Sequence, residues 1–590
     1  IEGSKEIFFA IISTTITLVA VFIPIVFLEG MTGRLFREFS IVISGAVAIS
    51  AFVALTFTPM MSSKLLKRRE QQGWLHRKTE PFFIGLNNIY ERSLVFVLNR
   101  KWIALVGVVV TFILIGVLWV VIPHEMAPLE DRSQITIRTA APEGSTFEFV
   151  RDYTEKIAVI ADSLTPEKES NLTMVFSNFG MVRVLLPDIQ TRERSQMEIA
   201  DILSEAARKE TEARAFVQQQ STFGGRRTGM PVQYVLQSPS IDKLEEVIPV
   251  FLSKVNENPH FQMADVNLKF TMPETRINID RDKATLLGVS TRNIGETLQY
   301  ALSGQRMGYF YMNGKQYQIL GEINRQQRNT PLDLKTIYLK NNQGEMIQLD
   351  NLVELEETVA PPQLYRYNRF SAATITAGLA PGVTLGKALD EMDVIAKEVL
   401  DDSFRTALAG DSKDFRESSF SLMFAFILAL VLIYLILAAQ FESFKDPFVI
   451  MISVPLALAG ALIFMWIGGI TMNIFSQIGL IMLIGLVAKN GILIVEFANQ
   501  RQEAGVDFMH AVEGSAIQRL RPILMTSLST VLGSLPLVFA AGEGANGRIA
   551  MGVAVVGGVL ISTFLTLYIV PAMYLYISTD RGRRVKNEEL

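Results

Sequence analysis

The chain contains no cysteine, and this absence excludes two kinds of site. Without thiols there is neither a disulfide framework nor a set of thiolate metal ligands. The four histidines show no metal-type spacing and no constellation of Ser, His and Asp stands out, so enzymatic chemistry has little to rest on. No basic stripe interleaved with aromatic residues occurs and the net charge is −4, which argues against nucleic acid as a partner.

An initiating methionine and the features of a signal peptide are also missing. The first residues read Ile1-Glu2-Gly3-Ser4-Lys5-Glu6, without the basic start or the cleavage site of a secretory leader. We therefore expect the chain to begin within a longer protein.

Apolar residues make up 49% of the chain and are concentrated in blocks. Crossing ~30 Å of hydrocarbon takes about 20 helical residues, and eight runs are long enough, which predicts a membrane α-helical bundle with eight transmembrane helices. The runs cover residues 7–28, 39–61, 102–122, 420–439, 448–467, 474–497, 523–541 and 549–577.

Basic residues are distributed unevenly between the two sides. Nine lysines and arginines lie between the second and third runs, and four follow the last. Because short cytoplasmic loops are rich in Lys and Arg, this bias predicts that these segments and the N-terminus are cytoplasmic. Residues 80–96 have helical apolar spacing between charges, which indicates an amphipathic helix in the membrane interface.

The long segment between the third and fourth runs has ordinary soluble composition, and we expect it to form one large domain outside the cytoplasm. Short β-rich runs alternate with helical ones: residues 134–140 predict a strand, 147–164 a helix, 172–177 a strand and 195–214 a helix. A second cycle begins at residue 232. Such β-α-β cycles favour small α+β subdomains packed side by side, with residues 273–360 as an inserted subdomain.

The first two apolar runs and the last two form a parallel repeat with a constant offset in residue number. Pro24 matches Pro536 and Pro59 matches Pro571, so identity and spacing agree together. Parallel repeats are one of the arrangements that transporters use. If the last six helices form one unit, the first two belong to an earlier unit, and we expect four helices and a second soluble domain to be missing upstream.

Lys489 stands within an otherwise apolar span, where a cation costs at least ~2.5 kcal/mol. It therefore needs an anionic partner, which we expect on the fourth helix of the missing half, unless the lysine reaches the inner interface. Arg519 and Thr526 are seven residues apart and share a helix face. Protonation of a carboxylate paired with Lys489 would change which helices attract one another. A surface anchor for Arg519 and a packing hydroxyl for Thr526 remain alternatives.

Residues 485–497, followed by 519–527, closely resemble the tenth and eleventh helices of RND (resistance-nodulation-division) efflux transporters of the hydrophobe/amphiphile, multidrug type. The resemblance covers essentially the whole chain and implies its C-terminal part, without helices one to four and the first porter domain. It implies a proton relay at Lys489, Arg519 and Thr526. It also implies two candidates for substrate contact, Phe176 and Phe179, in a segment between substrate pockets at residues 176–194.

The resemblance also implies the domain plan, which combines the bundle with an α+β extracytoplasmic porter domain of ferredoxin-like subdomains. The parts are transmembrane helices five and six (1–63), a cytoplasmic loop with the interfacial helix (64–101), transmembrane helix seven (102–122), porter subdomains (123–272), a docking subdomain (273–360), the return to the porter domain (361–417), transmembrane helices eight to twelve (418–578) and a cytoplasmic tail (579–590).

The function expected from this resemblance is proton-driven export of hydrophobic or amphipathic compounds, without enzymatic activity or a cofactor. The family's pumps are homotrimers in the inner membrane of Gram-negative bacteria and work with a periplasmic adaptor and an outer-membrane channel. A metal-ion exporter of the same superfamily is one alternative, because paired methionines are soft ligands and the chain has 23 Met. A membrane-tethered periplasmic binding or assembly protein is another.

Overall fold

The computed structural model describes residues 2–65, 74–220, 230–324, 336–380 and 382–578. Four helices precede the large non-membrane segment, and the second and fourth are long and apolar enough to span a membrane. They are α1 (Glu2–Val26), α2 (Gly30–Leu65), α3 (Trp74–Asn99) and α4 (Trp102–Val121). The tail expected at residues 579–590 lies outside the described residues.

The segment after α4 begins with an α+β unit that we call unit 1. Its elements are β1 (Gln134–Ala140), α5 (Phe147–Leu164), β2 (Ser170–Val175), β3 (Phe179–Leu185), α6 (Gln196–Arg208) and β4 (Arg214–Gln219). The strand order is β2-β3-β1-β4, the antiparallel arrangement of a β-α-β-β-α-β fold. Buried residues alternate along β1 and β3, so one face of the sheet packs on α5 and α6.

A second α+β unit, unit 2, has the same topology with a long insertion. It starts with β5 (Val232–Ser238), α7 (Ile241–Glu257) and β6 (Phe261–Val266). A ribbon of β7 (Met272–Ile279) and β12 (Val353–Ala360) leads out to the insertion and back. The insertion contains α8 (Arg281–Leu286), α9 (Thr291–Leu302), β8 (Gln305–Met312), β9 (Lys315–Gly321), β10 (Tyr338–Lys340) and β11 (Met346–Gln348), and it has its own apolar core.

Unit 2 is completed by β13 (Arg366–Tyr367), β14 (Phe370–Leu379), α10 (Leu385–Val399) and β15 (Arg405–Leu408). Strand β14 pairs with both β5 and β6, and β15 pairs with β5. The sheet thus joins segments that are distant in sequence, with α7 and α10 over its apolar face.

Six helices follow and complete the bundle. They are α11 (Gly410–Phe441), α12 (Lys445–Met451), α13 (Ser453–Ile467), α14 (Ile474–Glu503), α15 (Phe508–Val538) and α16 (Ala545–Ile577). The most buried of them are α13, α14 and α16, which are apolar over most of their surface. Small residues permit this packing, since a Cβ at Gly460 would lie 2.6 Å from Cβ of Ile561.

Seven helices or helix pairs within the described residues are long and apolar enough to cross a membrane, by length and composition. They begin at Thr32, Trp102, Gly410, Lys445, Ile474, Phe508 and Ala545. The first predicted span corresponds to α1, of which the stretch Ile11–Val26 is apolar but shorter. The predicted count of eight is therefore not confirmed.

The parallel repeat predicted from the sequence extends to the backbone. The last residues of α1 and α15, and those of α2 and α16, are separated by the same offset as the matched prolines. Gly30 and Gly542 both have positive φ, +75° and +81°, which favours glycine in these matching turns. The Thr14 hydroxyl donates to the Ile11 carbonyl at 3.0 Å, and the Thr526 hydroxyl donates to the Ile523 carbonyl at 3.2 Å.

Unit 1 differs from the sequence prediction at two points. Strand β3 was not predicted, because residues 176–194 were interpreted as a pocket-linking segment, and the strand lies there as a short alternating run. The predicted helix 195–214 is shorter, since α6 ends at Arg208 and the chain enters β4 at Arg214.

Residues 123–133, called the linker below, connect α4 to β1 and contact the start of α14. The Met472 N–H donates to the Pro123 carbonyl at 2.8 Å, and the Glu125 N–H donates to the Met472 carbonyl at 3.0 Å. The Thr471 hydroxyl donates to the Glu125 carboxylate. Burial raises the pKa of Glu125 above its usual range, and the Thr471 hydrogen bond opposes this only in part. We call this end of the bundle the domain end and the opposite end the loop end.

Glu125 should make the protein's stability depend on pH. A carboxyl group whose pKa is raised in the folded state stabilises the fold when protonated, and this contribution is lost as the pH rises through the folded-state pKa. Glu125→Gln resembles the protonated form at every pH, so its melting temperature relative to wild type should be higher near pH 8 than near pH 5. Thermal unfolding of the detergent-solubilised protein measures this difference. An exposed control, Glu354→Gln, should show none, and an equal difference at both pH values for Glu125→Gln would contradict the assignment.

Candidate functional site

Lys489 lies in the middle of α14, halfway between Ile474 and Glu503, so about 21 Å of helix separates it from either end. The sequence predicts that this span ends at residue 497 and that the lysine is about two turns from the inner surface; the structure extends the helix beyond that point. Polar residues resume at Glu496, about two turns after Lys489, so snorkelling toward that end of α14 stays the alternative to a paired carboxylate.

The face of α14 that carries Lys489 is turned toward α1. One turn earlier, Gly485 packs so closely on α1 that a Cβ there would lie 2.6 Å from the Leu18 side chain and 3.0 Å from that of Val21. Residues four apart in a helix share a face, so Lys489 lies toward the same neighbour. Within the described ranges its ammonium group makes no hydrogen bond and no ion pair.

A buried polar layer crosses the bundle beside Lys489. The Asn490 amide donates to the Ser527 hydroxyl at 3.4 Å, and the Ser527 and Thr563 hydroxyl oxygens are 2.9 Å apart. Thr563 also donates to the Val559 carbonyl at 2.6 Å in its own helix. We call Asn490, Ser527 and Thr563 the hydroxyl layer; it joins α14, α15 and α16 by polar contacts in an apolar setting.

Thr566 lies one turn after Thr563 on α16. Its hydroxyl oxygen is buried and, in the part of the chain that the structure describes, has no hydrogen-bond partner. A helical threonine ordinarily donates to the carbonyl four residues earlier, as Thr530 does at 2.9 Å to Thr526. The unsatisfied hydroxyl adds to the polarity of α16 near the hydroxyl layer, at a desolvation cost of ~1–3 kcal/mol.

The structure does not join the three predicted relay residues by hydrogen bonds within the described residues. The guanidinium carbon of Arg519 lies 4.3 Å from the centroid of the Phe497 ring, a cation–π contact between α15 and α14. Arg519 Nε is buried and has no hydrogen-bond partner among the described residues. Thr526 donates to the carbonyl of Ile523 in its own helix. Its neighbour Ser527, not Thr526, makes the contact to α14.

A buried carboxylate at the loop end was not predicted. Asp446 is only 1% exposed although the sequence places it in a loop beside Lys445. It lies in the first turn of α12, and it accepts hydrogen bonds from the Ser578 hydroxyl at 2.6 Å and the Asn499 amide at 3.5 Å. Asn499 in turn bonds the Tyr574 hydroxyl. The cluster fixes the loop ends of α12, α14 and α16 to one another, and an acidic residue in a short loop gave no sequence signal of burial.

The two candidate substrate-contact residues lie next to each other in unit 1. The rings of Phe176 and Phe179 stack with centroids 4.5 Å apart and an interplanar angle of 18°, and Phe176 is 44% exposed. The guanidinium carbon of Arg138 lies 4.6 Å from the Phe179 ring centroid. The result is an accessible aromatic surface next to a cation, at the start of strand β3.

Comparison with known proteins identifies the family. The model of the AcrB/AcrD/AcrF family matches residues 1–578. The chain belongs to this family. A similar protein is an uncharacterized transporter of Haemophilus influenzae, with 32% identity over 591 residues that cover 98% of this chain and 57% of that protein. The chain thus spans somewhat more than half the length of this curated relative.

Membership of this RND permease family fits a membrane helical protein with a β-containing domain, and the name of the similar protein is that of a transporter. Within the described residues no group of three or more His, Asp or Glu side chains is arranged to hold a metal ion. Lys489 and Arg519 form the candidate functional site together with the hydroxyl layer, since ionisable groups are costly in an apolar bundle and the layer begins at Asn490, next to Lys489.

The hydroxyl layer should stabilise the bundle through contacts between helices. Thr563→Val keeps the side-chain shape but leaves Ser527 without its hydroxyl partner, and we expect a loss of ~0.5–2 kcal/mol in unfolding free energy. Thr530→Val is the matched control, because the Thr530 hydroxyl bonds only a carbonyl of its own helix and its removal should cost less. Unfolding in mixed detergent micelles measures both. Equal losses would show that the contact between Ser527 and Thr563 contributes nothing specific.

Proposed function

We propose that the chain is the C-terminal part of a proton-driven secondary active exporter of hydrophobic or amphipathic compounds. The observation that carries the proposal is Lys489, an ammonium group in mid-helix with no partner among the described residues. Lys489 is half-buried, and because a cation at the middle of a membrane span is costly without an anion, the proposal gives it a partner. The relative is longer than this chain, and we place the partner carboxylate in the remainder of such a longer protein.

Proton exchange on that carboxylate would give the transport cycle its driving step. When the carboxylate is ionised, it pairs with Lys489 and attracts its helix to α14. When it is protonated, the lysine loses its counter-charge, and the helices that surround it gain a different lowest-energy arrangement. The hydroxyl layer offers Lys489 nearby polar groups on α15 and α16. Arg519, held over Phe497 at the α14–α15 contact, and Thr526 belong to the same proposed relay.

The proposed setting is a larger assembly. Basic loops on one side support an inner-membrane protein with units 1 and 2 in the periplasm. The two units correspond to porter subdomains and the insertion of unit 2 to a docking subdomain. The assembled pump would be a homotrimer with a periplasmic adaptor and an outer-membrane channel, driven by the proton-motive force without a cofactor.

Lys489→Ala in the full-length protein should abolish pH-gradient-driven transport of an amphipathic fluorescent dye to the level of vesicles that lack the protein. The reason is that no ammonium remains to pair with the ionised carboxylate, so its protonation no longer changes the attraction between the helices. Dye transport in inverted membrane vesicles measures this, with membrane insertion checked on the same samples. Lys397→Ala, which removes an exposed lysine of α10, should transport normally. Wild-type transport by correctly inserted Lys489→Ala would refute the relay.

The substrate assignment has its own test. Phe176→Ala removes half of the stacked pair, and because aromatic contacts contribute ~0.5–1.5 kcal/mol, we expect the KM for an aromatic dye to rise about 2- to 12-fold. Proton flux without dye should not change. Phe147→Ala is the control, a similarly exposed phenylalanine of the same unit. If the KM responds equally to both substitutions, or to neither, the stacked pair is not a substrate contact.

A further inference from the structure

Two consecutive acidic residues of the linker face opposite parts of the molecule. Glu130 contacts the bundle, and Asp131 contacts unit 1. Both carboxylates meet the first turn of a helix, where backbone N–H groups lack partners within the helix and the helix dipole favours negative charge.

Glu130 is 3% exposed and bonds the domain end of α16. Its Oε1 accepts from the Gly547 N–H at 2.9 Å, and its Oε2 is 3.4 Å from the Asn546 backbone nitrogen. The Asn546 side-chain amide donates to the Leu129 carbonyl at 2.7 Å. Gly547 also permits close packing of α16 on α14, since a Cβ there would lie 2.7 Å from the Phe475 ring.

Asp131 is held by unit 1. Its Oδ2 accepts from the Gln196 N–H at 2.9 Å in the first turn of α6, and its Oδ1 forms an ion pair with Arg192. The Arg192 side chain is fully buried and also donates to the carbonyls of Pro187, at 3.1 Å, and Arg194, at 3.0 Å. Arg192 follows β3 in the same segment as Phe179, so Asp131 connects the linker to the part of unit 1 that carries the stacked pair.

Because Glu130 and Asp131 are adjacent, a displacement of the α6 attachment also displaces the α16 attachment. Consecutive Cα atoms are only about 3.8 Å apart, so α6 and α16 are attached to one dipeptide. Movement of unit 1 away from the bundle must either displace the start of α16 or leave a buried carboxylate without its donors, and the second outcome is costly. Helix α16 carries Thr563 of the hydroxyl layer. The linker also bonds the start of α14, the Lys489 helix, where the Ile474 N–H donates to the Met126 carbonyl at 3.2 Å.

We propose that Glu130 and Asp131 are positioning residues that couple the state of unit 1 to the helices around Lys489, so that substrate occupancy and proton exchange occur in step. This inference rests on the proposed function. Neither carboxylate touches substrate or transfers the proton; both act through α6, Arg192 and α16. The test therefore measures the coupling itself.

The experiment measures proton flux through the full-length protein in proteoliposomes, with and without an amphipathic dye. Glu130→Gln keeps the size and one acceptor oxygen but removes the charge. We expect the ratio of flux with dye to flux without dye to fall toward one, while the dye-independent flux that depends on Lys489 persists. Asp131→Asn should have the same effect. The double variant should be no worse than either single one, because the two residues act in series.

Two further variants keep the outcome interpretable. If Glu130→Gln does not fold, Asn546→Ala removes only the bond to the Leu129 carbonyl from an exposed side chain, and it should lower the same ratio by less. Glu155→Gln, an exposed residue of α5, should leave the ratio unchanged. If folded Glu130→Gln keeps the wild-type ratio of flux with dye to flux without dye, the inference is overturned and the relay is not affected. If only Asn546→Ala folds, the same result in that variant overturns the inference. If instead Lys489→Ala leaves the dye-independent flux intact, the proposed function itself fails.

Discussion

A positive charge in the middle of an apolar helix bundle is the constraint on which the other features depend. Lys489 lies about 21 Å from either end of α14, on the face toward α1, and the described residues offer it no anion. Its desolvation would be a net cost to folding unless another group compensated for it. The bundle around it is otherwise closely packed through glycines such as Gly485 and Gly460. Packing alone gives no reason for a lysine at this place, and the proposed relay supplies one.

Polar contacts connect α14 and α16 to neighbouring parts of the protein at three levels along the bundle. At the domain end, the linker bonds the start of α14 and Glu130 bonds the start of α16. At the centre, Asn490 and Thr563 meet through Ser527 of α15. At the loop end, Asp446 joins the ends of α12, α14 and α16. These polar levels add directional contacts to the apolar, non-directional packing of the helices.

Local patterns were sufficient to predict strand β1 and helix α5 to the residue, and the matching helix ends of the repeat follow from its constant offset. Strand β3 was missed because its alternation is short and was outweighed by the resemblance to a linking segment. In the site, Lys489 was predictable because a cation is conspicuous among apolar residues. The roles of Thr563 and Glu130 could not be predicted, since each depends on a hydrogen-bond partner that is distant in sequence.

Cryo-electron microscopy of the full-length protein at mildly alkaline and at acidic pH, at a resolution that shows side chains, tests the lysine–carboxylate pair most directly. At alkaline pH the Lys489 ammonium should lie within about 4 Å of a carboxylate oxygen, the distance of an ion pair. At acidic pH that pair should be separated, with the surrounding helices displaced. An ammonium that points into bulk water with no acidic group nearby at either pH would contradict the proposed relay.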